Sequence, residues 1–186
     1  MIIYIIVIIV YLSFLLDFLV WPIPSEASTY SIINRNVPMK LIYKFFLILV
    51  FVISLLFYIT PLCLSFYYLF TGYTQTVIPK DILGIVISVI GRLITVIAAN
   101  KLRNNSAGLV SDSLFKYSRN PISLGLHVTI AGLLIIFGNW YLWSFFIIYL
   151  LNIHYKIKIE ENRLYQKYGS VYEFYRAKTP RYLIMI

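Results

Sequence analysis

Polar residues are sparse and bunched along this chain, and the apolar runs between them set the expected elements. The first run, "MIIYIIVIIVYLSFLLDFLVW" at residues 1 to 21, is apolar almost throughout. A helix needs ~20 such residues to cross the hydrocarbon core of a bilayer, so a span is expected. It lacks a basic n-region and a small-residue cleavage site, which favours a retained span over a signal peptide. Asp17 near its end reads as an interfacial carboxylate. A polar connector, "WPIPSEASTYSIINRNVPMK", follows. The second apolar block runs from Leu41 to Phe70 and is interrupted by Pro61. One tilted or kinked helix fits it, as does a span followed by a short re-entrant piece. The third span, Asp81 to Ala99, contains Arg92, which must meet a partner or a wet cavity. The last block, Ile122 to Ile153, is too long for one span, and "FGNW" at residues 137 to 140 breaks it into a tight hairpin. The pattern predicts an all-α polytopic membrane protein. It has about five transmembrane helices, a C-terminal helical hairpin and an amphipathic tail helix. All 186 residues form one integral-membrane domain, with N-terminal spans in 1–80 and a core in 81–182.

Composition agrees with that picture. The chain is 61% hydrophobic and 12% charged, where soluble domains carry ~25% charge. Its net charge of +9 is a topology signal first and an attraction to anionic lipid second. No soluble basic module is visible, so nucleic acid is not an expected partner. The single cysteine, Cys63, excludes an intrachain disulfide and is expected to be a buried, inert thiol. The basic residues fall into three regions. Arg35, Lys40 and Lys44 lie in and after the first connector; Lys101, Arg103, Lys116 and Arg119 lie in the third. The tail holds Lys156, Lys158, Arg163, Lys167, Arg176, Lys178 and Arg181. The opposite side has little beyond Lys80, offset by Asp81. Five spans put all three regions on one face, which the positive-inside rule makes cytoplasmic, with the N-terminus outside.

Two polar segments on that face are brought together by the hairpin between them. In "SRNP", Pro121 suits the first turn of a helix and Asn120 its N-cap. That leaves Arg119 unexplained, because a helix N-terminus prefers an anion. A ligand carboxylate or phosphate would satisfy both. Gly125 and Gly132 lie seven apart on one helix face, suited to close helix packing, and Gly125 could also leave room for a ligand. In "IEENRLYQKYGSVYEFYR", Glu160 and Glu161 point ~100° apart on a helix, so they cannot form one metal clamp. Leu164, Tyr168, Val171, Tyr172 and Tyr175 recur at helical spacing, as an interfacial amphipathic helix would have them. A carboxylate ringed by tyrosines would equally suit a cationic ligand. No G-x-G-x-x-G and no nucleophile elbow are present. His127, expected to be packed or pore-facing, and His154, expected at the interface, lack metal-ligand spacing, so no metal site is expected.

The order of these pieces resembles the isoprenylcysteine carboxyl methyltransferase family and its phospholipid methyltransferase relatives. The residues that carry the resemblance are Leu109-Val110, Phe115 and "RNPISLG", then Glu160-Glu161, Leu164, Tyr168-Gly169, Tyr172 and Tyr175. It covers roughly residues 90 to 182. Three positions depart from the family pattern: Ser123 stands for its motif tyrosine, Asn120 for its histidine and Ser113 for a glycine. The resemblance implies an enzyme that transfers a methyl group from S-adenosylmethionine to a lipophilic acceptor drawn from the bilayer. An isoprenylcysteine-type carboxylate is the first expected acceptor. A phospholipid or small molecule, or a non-catalytic lipid-binding role, are the alternatives. It implies cofactor contacts at Leu109, Val110, Arg119, Asn120, Pro121, Gly125, Glu160 and Glu161. Arg119 and Glu161 would be catalytic, and Tyr172 and Tyr175 would contact substrate.

Overall fold

The computed structural model describes residues 2–20, 52, 59–72, 77–105 and 108–183. They form six α-helices and no strand: α1 (Ile2–Val20), α2 (Ile59–Phe70), α3 (Pro79–Arg103), α4 (Pro121–Phe137), α5 (Trp140–Tyr168) and α6 (Ser170–Lys178). A short 3₁₀ turn, Ser113–Lys116, lies between α3 and α4. The expected connector at 21–40 and the first part of the second block lie outside the described residues.

Helix α3 starts with Pro79 in its first turn, and the buried Asp81 carboxylate accepts from the Ile78 N–H at 3.1 Å. Lys80 does not pair with it; its Nζ reaches the last turn of α4 at the Ile136 carbonyl, 3.4 Å away, where a cation suits the helix dipole. Among the described residues α3 is the one helix long and apolar enough to cross a membrane. Helix α4, with 17 residues, is about 26 Å long, a little short of the ~30 Å hydrocarbon core. The apolar helix Ile59–Phe70 is shorter still. The described residues thus do not establish five spans; in them α4 and the apolar half of α5 pair as a hairpin. Cys63 is exposed on α2, not buried.

The hairpin turns where "FGNW" predicts. Gly138 adopts φ 62°, a left-handed conformation natural to glycine, and its N–H closes on the Leu134 carbonyl at 2.9 Å. Asn139 then caps α5 by accepting from the Tyr141 N–H at 2.9 Å. Ile130, Leu134, Leu142, Phe146 and Tyr149 close the seam between α4 and α5. His127 packs edge-on against Tyr149, with ring centroids 5.6 Å apart.

Helices α3 and α4 meet along small residues. Gly84, Ser88, Gly91, Thr95 and Ala98 are buried on α3, and Gly125, Thr129 and Gly132 on α4. A Cβ at Gly84 would stand 2.6 Å from the Gly132 carbonyl oxygen, and one at Gly125 would stand 2.5 Å from Thr95 Oγ1. The backbones thus approach as close as glycine allows, the usual solution where lipid gives no hydrophobic drive between helices. Ser88 Oγ also donates to the Thr129 carbonyl at 3.2 Å, across the interface. Helix α1 lies against this pair through Ile3, Val7 and Val10, packed with Leu133 and Ile136. The expected partner of Arg92 is here: its Nε donates to Ser13 Oγ and its Nη2 to the Ser13 carbonyl, both at 2.7 Å.

Helix α5 does not stop at the apolar limit. It runs unbroken for 29 residues, about 43 Å, and so carries Glu160 and Glu161 well past the hydrophobic stretch that began it. The single amphipathic tail helix is corrected accordingly. Its first half is the end of α5, and Gly169, at φ 53°, breaks the chain before α6. The stripe expected over both halves is therefore split: Tyr172 and Tyr175 turn inward while Val171, between them and α5, is 62% exposed.

Candidate functional site

Four pieces converge beside the N-terminus of α4: the 3₁₀ turn, residues 118–120, the polar end of α5, and α6 with residues 179–182 after it. Phe115 and Val110 pack on Ala98 at the end of α3 and anchor the connector there. Tyr175 of α6 donates its hydroxyl to the Phe115 carbonyl at 2.7 Å, tying α6 to the 3₁₀ turn.

The cap expected at Asn120 is not made by its side chain. Its Nδ2 donates instead to the Arg181 carbonyl at 3.2 Å. Ser118 Oγ donates to the same carbonyl at 3.1 Å, and the Arg119 N–H donates to the Pro180 carbonyl at 2.9 Å. Three consecutive residues before the helix thus hold the extended chain that follows α6. Local side-chain capping loses here because the backbone carbonyls of residues 180 and 181 would otherwise be turned inward without donors. The Tyr182 hydroxyl and His154 Nδ1, 3.0 Å apart, fasten the same chain to α5.

At the centre lies Glu161, 5% exposed. Arg181 meets it two-handed, Nε to Oε1 at 3.1 Å and Nη2 to Oε2 at 2.7 Å. Arg119 approaches Oε1 through Nη1 at 3.2 Å. Burying a carboxylate costs several kcal/mol unless it is paired and hydrogen-bonded, which the two guanidinium groups accomplish. They also overcompensate it: two cations face one anion, leaving one net positive charge. Arg119 Nε and Nη1 and the Tyr172 hydroxyl are buried without an aligned hydrogen-bond partner. Burial, and then the nearby Glu161 charge, push the Tyr172 hydroxyl above its ordinary pKa, with Arg119 opposing. It therefore stays a neutral donor, and burial likewise raises Tyr175.

Glu160, one residue earlier, points elsewhere, as the helical angle requires. It is half-buried and pairs with Lys156 one turn back at 3.7 Å. Burial raises its pKa, with Lys156 pulling the other way.

Of the candidate residues, Arg119, Asn120, Glu161, Tyr172 and Tyr175 come together here. Pro121 is buried in the first turn of α4, and Val110 belongs to the packing beneath. Leu109 is half-buried in the connector. Gly125 faces α3, and the space its missing side chain would fill is taken by Thr95 and Gly91. Arg181 is the residue that motif spacing misses. The signal available was electrostatic: a glutamate expected to turn inward needs a cation, and Arg181 lies in "TPRY", just beyond the tyrosines.

The arrangement is a buried cluster with a surplus positive charge and with Arg119 Nε, Arg119 Nη1 and the Tyr172 hydroxyl short of aligned hydrogen bonds, which suits a ligand carboxylate. The model of the phospholipid methyltransferase family matches residues 79–171, half of the chain and all of the two segments that bear the motifs except the last residues of the second. No curated protein and no solved structure matches the chain.

Proposed function

The chain belongs to the phospholipid methyltransferase family, a family of membrane methyltransferases, and from that premise we propose that it transfers a methyl group from S-adenosylmethionine to a lipophilic acceptor. Members of this family generally use S-adenosylmethionine. The observation that carries the reading is the Arg119–Glu161–Arg181 cluster, with its surplus positive charge and the unaligned donors of Arg119 and Tyr172. The donor set fits the amino-acid end of the cofactor. Arg119 and Tyr172 would hold its carboxylate. Bound there, S-adenosylmethionine supplies an electrophilic methyl on a sulfonium. The protein's contribution is to hold the ends in place and keep water away, since displacement at a methyl is governed by alignment and desolvation.

Two acceptor classes remain in the proposal. A carboxylate, such as that of an isoprenylcysteine, needs no base. That suits a site whose innermost glutamate is locked between arginines and so is a poor proton acceptor. A phospholipid headgroup amine must lose a proton before it attacks. The acceptor would enter from the bilayer, between helices, and the cofactor from the cytoplasmic side, where the basic segments would lie by the positive-inside rule.

Binding decides the first step. Isothermal calorimetry on the purified chain in lipid nanodiscs should show heat with S-adenosylhomocysteine, and Arg119→Ala should abolish it. No heat with the wild type overturns the proposal. Membranes fed methyl-labelled cofactor then sort the acceptors by whether label appears in phospholipid or in an isoprenylcysteine peptide.

A further inference from the structure

Arg181 stands outside the motifs, yet it makes both of the aligned hydrogen bonds to Glu161 from an arginine, at 3.1 and 2.7 Å. Arg119 touches the same carboxylate at 3.2 Å but without an aligned hydrogen bond from Nη1, and its Nε has no acceptor either. A fork-to-fork guanidinium–carboxylate pair fixes direction as well as charge. Glu161 thus takes its aligned hydrogen bonds from Arg181, while Arg119, with a side chain 9% exposed, meets it at one atom only and keeps Nε without an acceptor. The backbone around Arg181 is held for this purpose on both sides. The Pro180 carbonyl accepts from the Arg119 N–H, and the Arg181 carbonyl accepts from Ser118 and Asn120.

We propose that Arg181 is a positioning residue. By engaging Glu161 bidentately, it limits that carboxylate to a single unaligned contact with Arg119 and leaves the rest of the Arg119 guanidinium to the carboxylate of the ligand. The inference rests on the cofactor reading of the site given above. Without Arg181, Glu161 turns its hydrogen-bonding capacity on Arg119, already in contact with it, and a ligand anion must then displace an internal one. The effect is confined to the carboxylate end of the ligand.

The test compares S-adenosylhomocysteine with its decarboxylated analogue, titrated into the full chain in nanodiscs. Arg181→Ala should weaken S-adenosylhomocysteine roughly ten- to hundredfold, the range for losing a hydrogen bond to a charged group, and leave the analogue unchanged. Arg181→Lys should show a smaller loss in the same direction, because an ammonium cannot form the fork. Equal losses for both ligands, or no loss for either, overturn the inference. If Arg181→Ala does not fold, Arg181→Lys decides: a ratio of the two affinities identical to the wild type overturns it. A wild-type chain that binds neither ligand overturns the cofactor reading itself, and this inference with it. Wild-type binding with unaltered ratios in the variants overturns this inference alone.

Discussion

At the scale of single residues, charge balance governs the site. Glu161 is the one carboxylate between two guanidinium groups, and its side chain is 6% exposed. Glu161→Ala should therefore destabilise the fold by about 3–5 kcal/mol, because it strands a buried cation; denaturation in detergent reads this. A loss within a few tenths of a kcal/mol would mean the pair contributes nothing. Glu160 gives a prediction of opposite kind. Its folded pKa lies above the ordinary 4.5 because burial disfavours its charge. The folded state then binds more protons than the unfolded one above that value, and stability falls as pH rises through the window between the two. Glu160→Gln should flatten that slope, measured as melting temperature over the pH range just above the ordinary value of 4.5. An unchanged slope would place the titration elsewhere. Nothing in the structure explains Ser123, which is half-buried in the first turn of α4.

At the scale of elements, the α3–α4 contact is the firmest piece of packing. Gly84→Val places its Cβ against the Gly132 carbonyl, a backbone atom that cannot step aside. The expected cost is about 1–3 kcal/mol, as for overpacking a core, seen as a lower melting temperature. A variant as stable as the wild type would show that the helices part freely. Much of this scale was legible in the sequence. "FGNW" gave the hairpin because Gly and Asn each serve one helix end, and Gly125 and Gly132 gave the close face. Two things were not. The end of α5 hid because periodicity continues from its apolar half into its polar half without a break, so only the φ of Gly169 separates α5 from α6. Asn120 is the N-cap residue, as expected, but its side chain leaves the cap unmade, because local capping competes with distant backbone carbonyls, and nothing at residues 118–120 shows that residues 180 and 181 will arrive there. Arg181 escaped for the same reason: it is joined to Glu161 by the fold and not by spacing.

At the scale of the whole molecule, the distribution of charge makes a topological prediction. The basic segments around the site should face the cytoplasm. A protease site added after Ile186 should be cut in inside-out vesicles and spared in right-side-out ones; the reverse result would invert the orientation. The family match and the hairpin agree on the core, while the acceptor is left to chemistry within the bilayer. Residues 118–120, laid down before the hairpin, find their hydrogen-bond acceptors only in residues 180 and 181, laid down after it. During synthesis, the apolar helices can enter the bilayer as they leave the ribosome, but the Glu161 cluster closes only once Arg181 has emerged. A nascent chain stalled before that point would be embedded in the membrane with residues 118–120 still lacking these acceptors, so insertion precedes closure of the cluster.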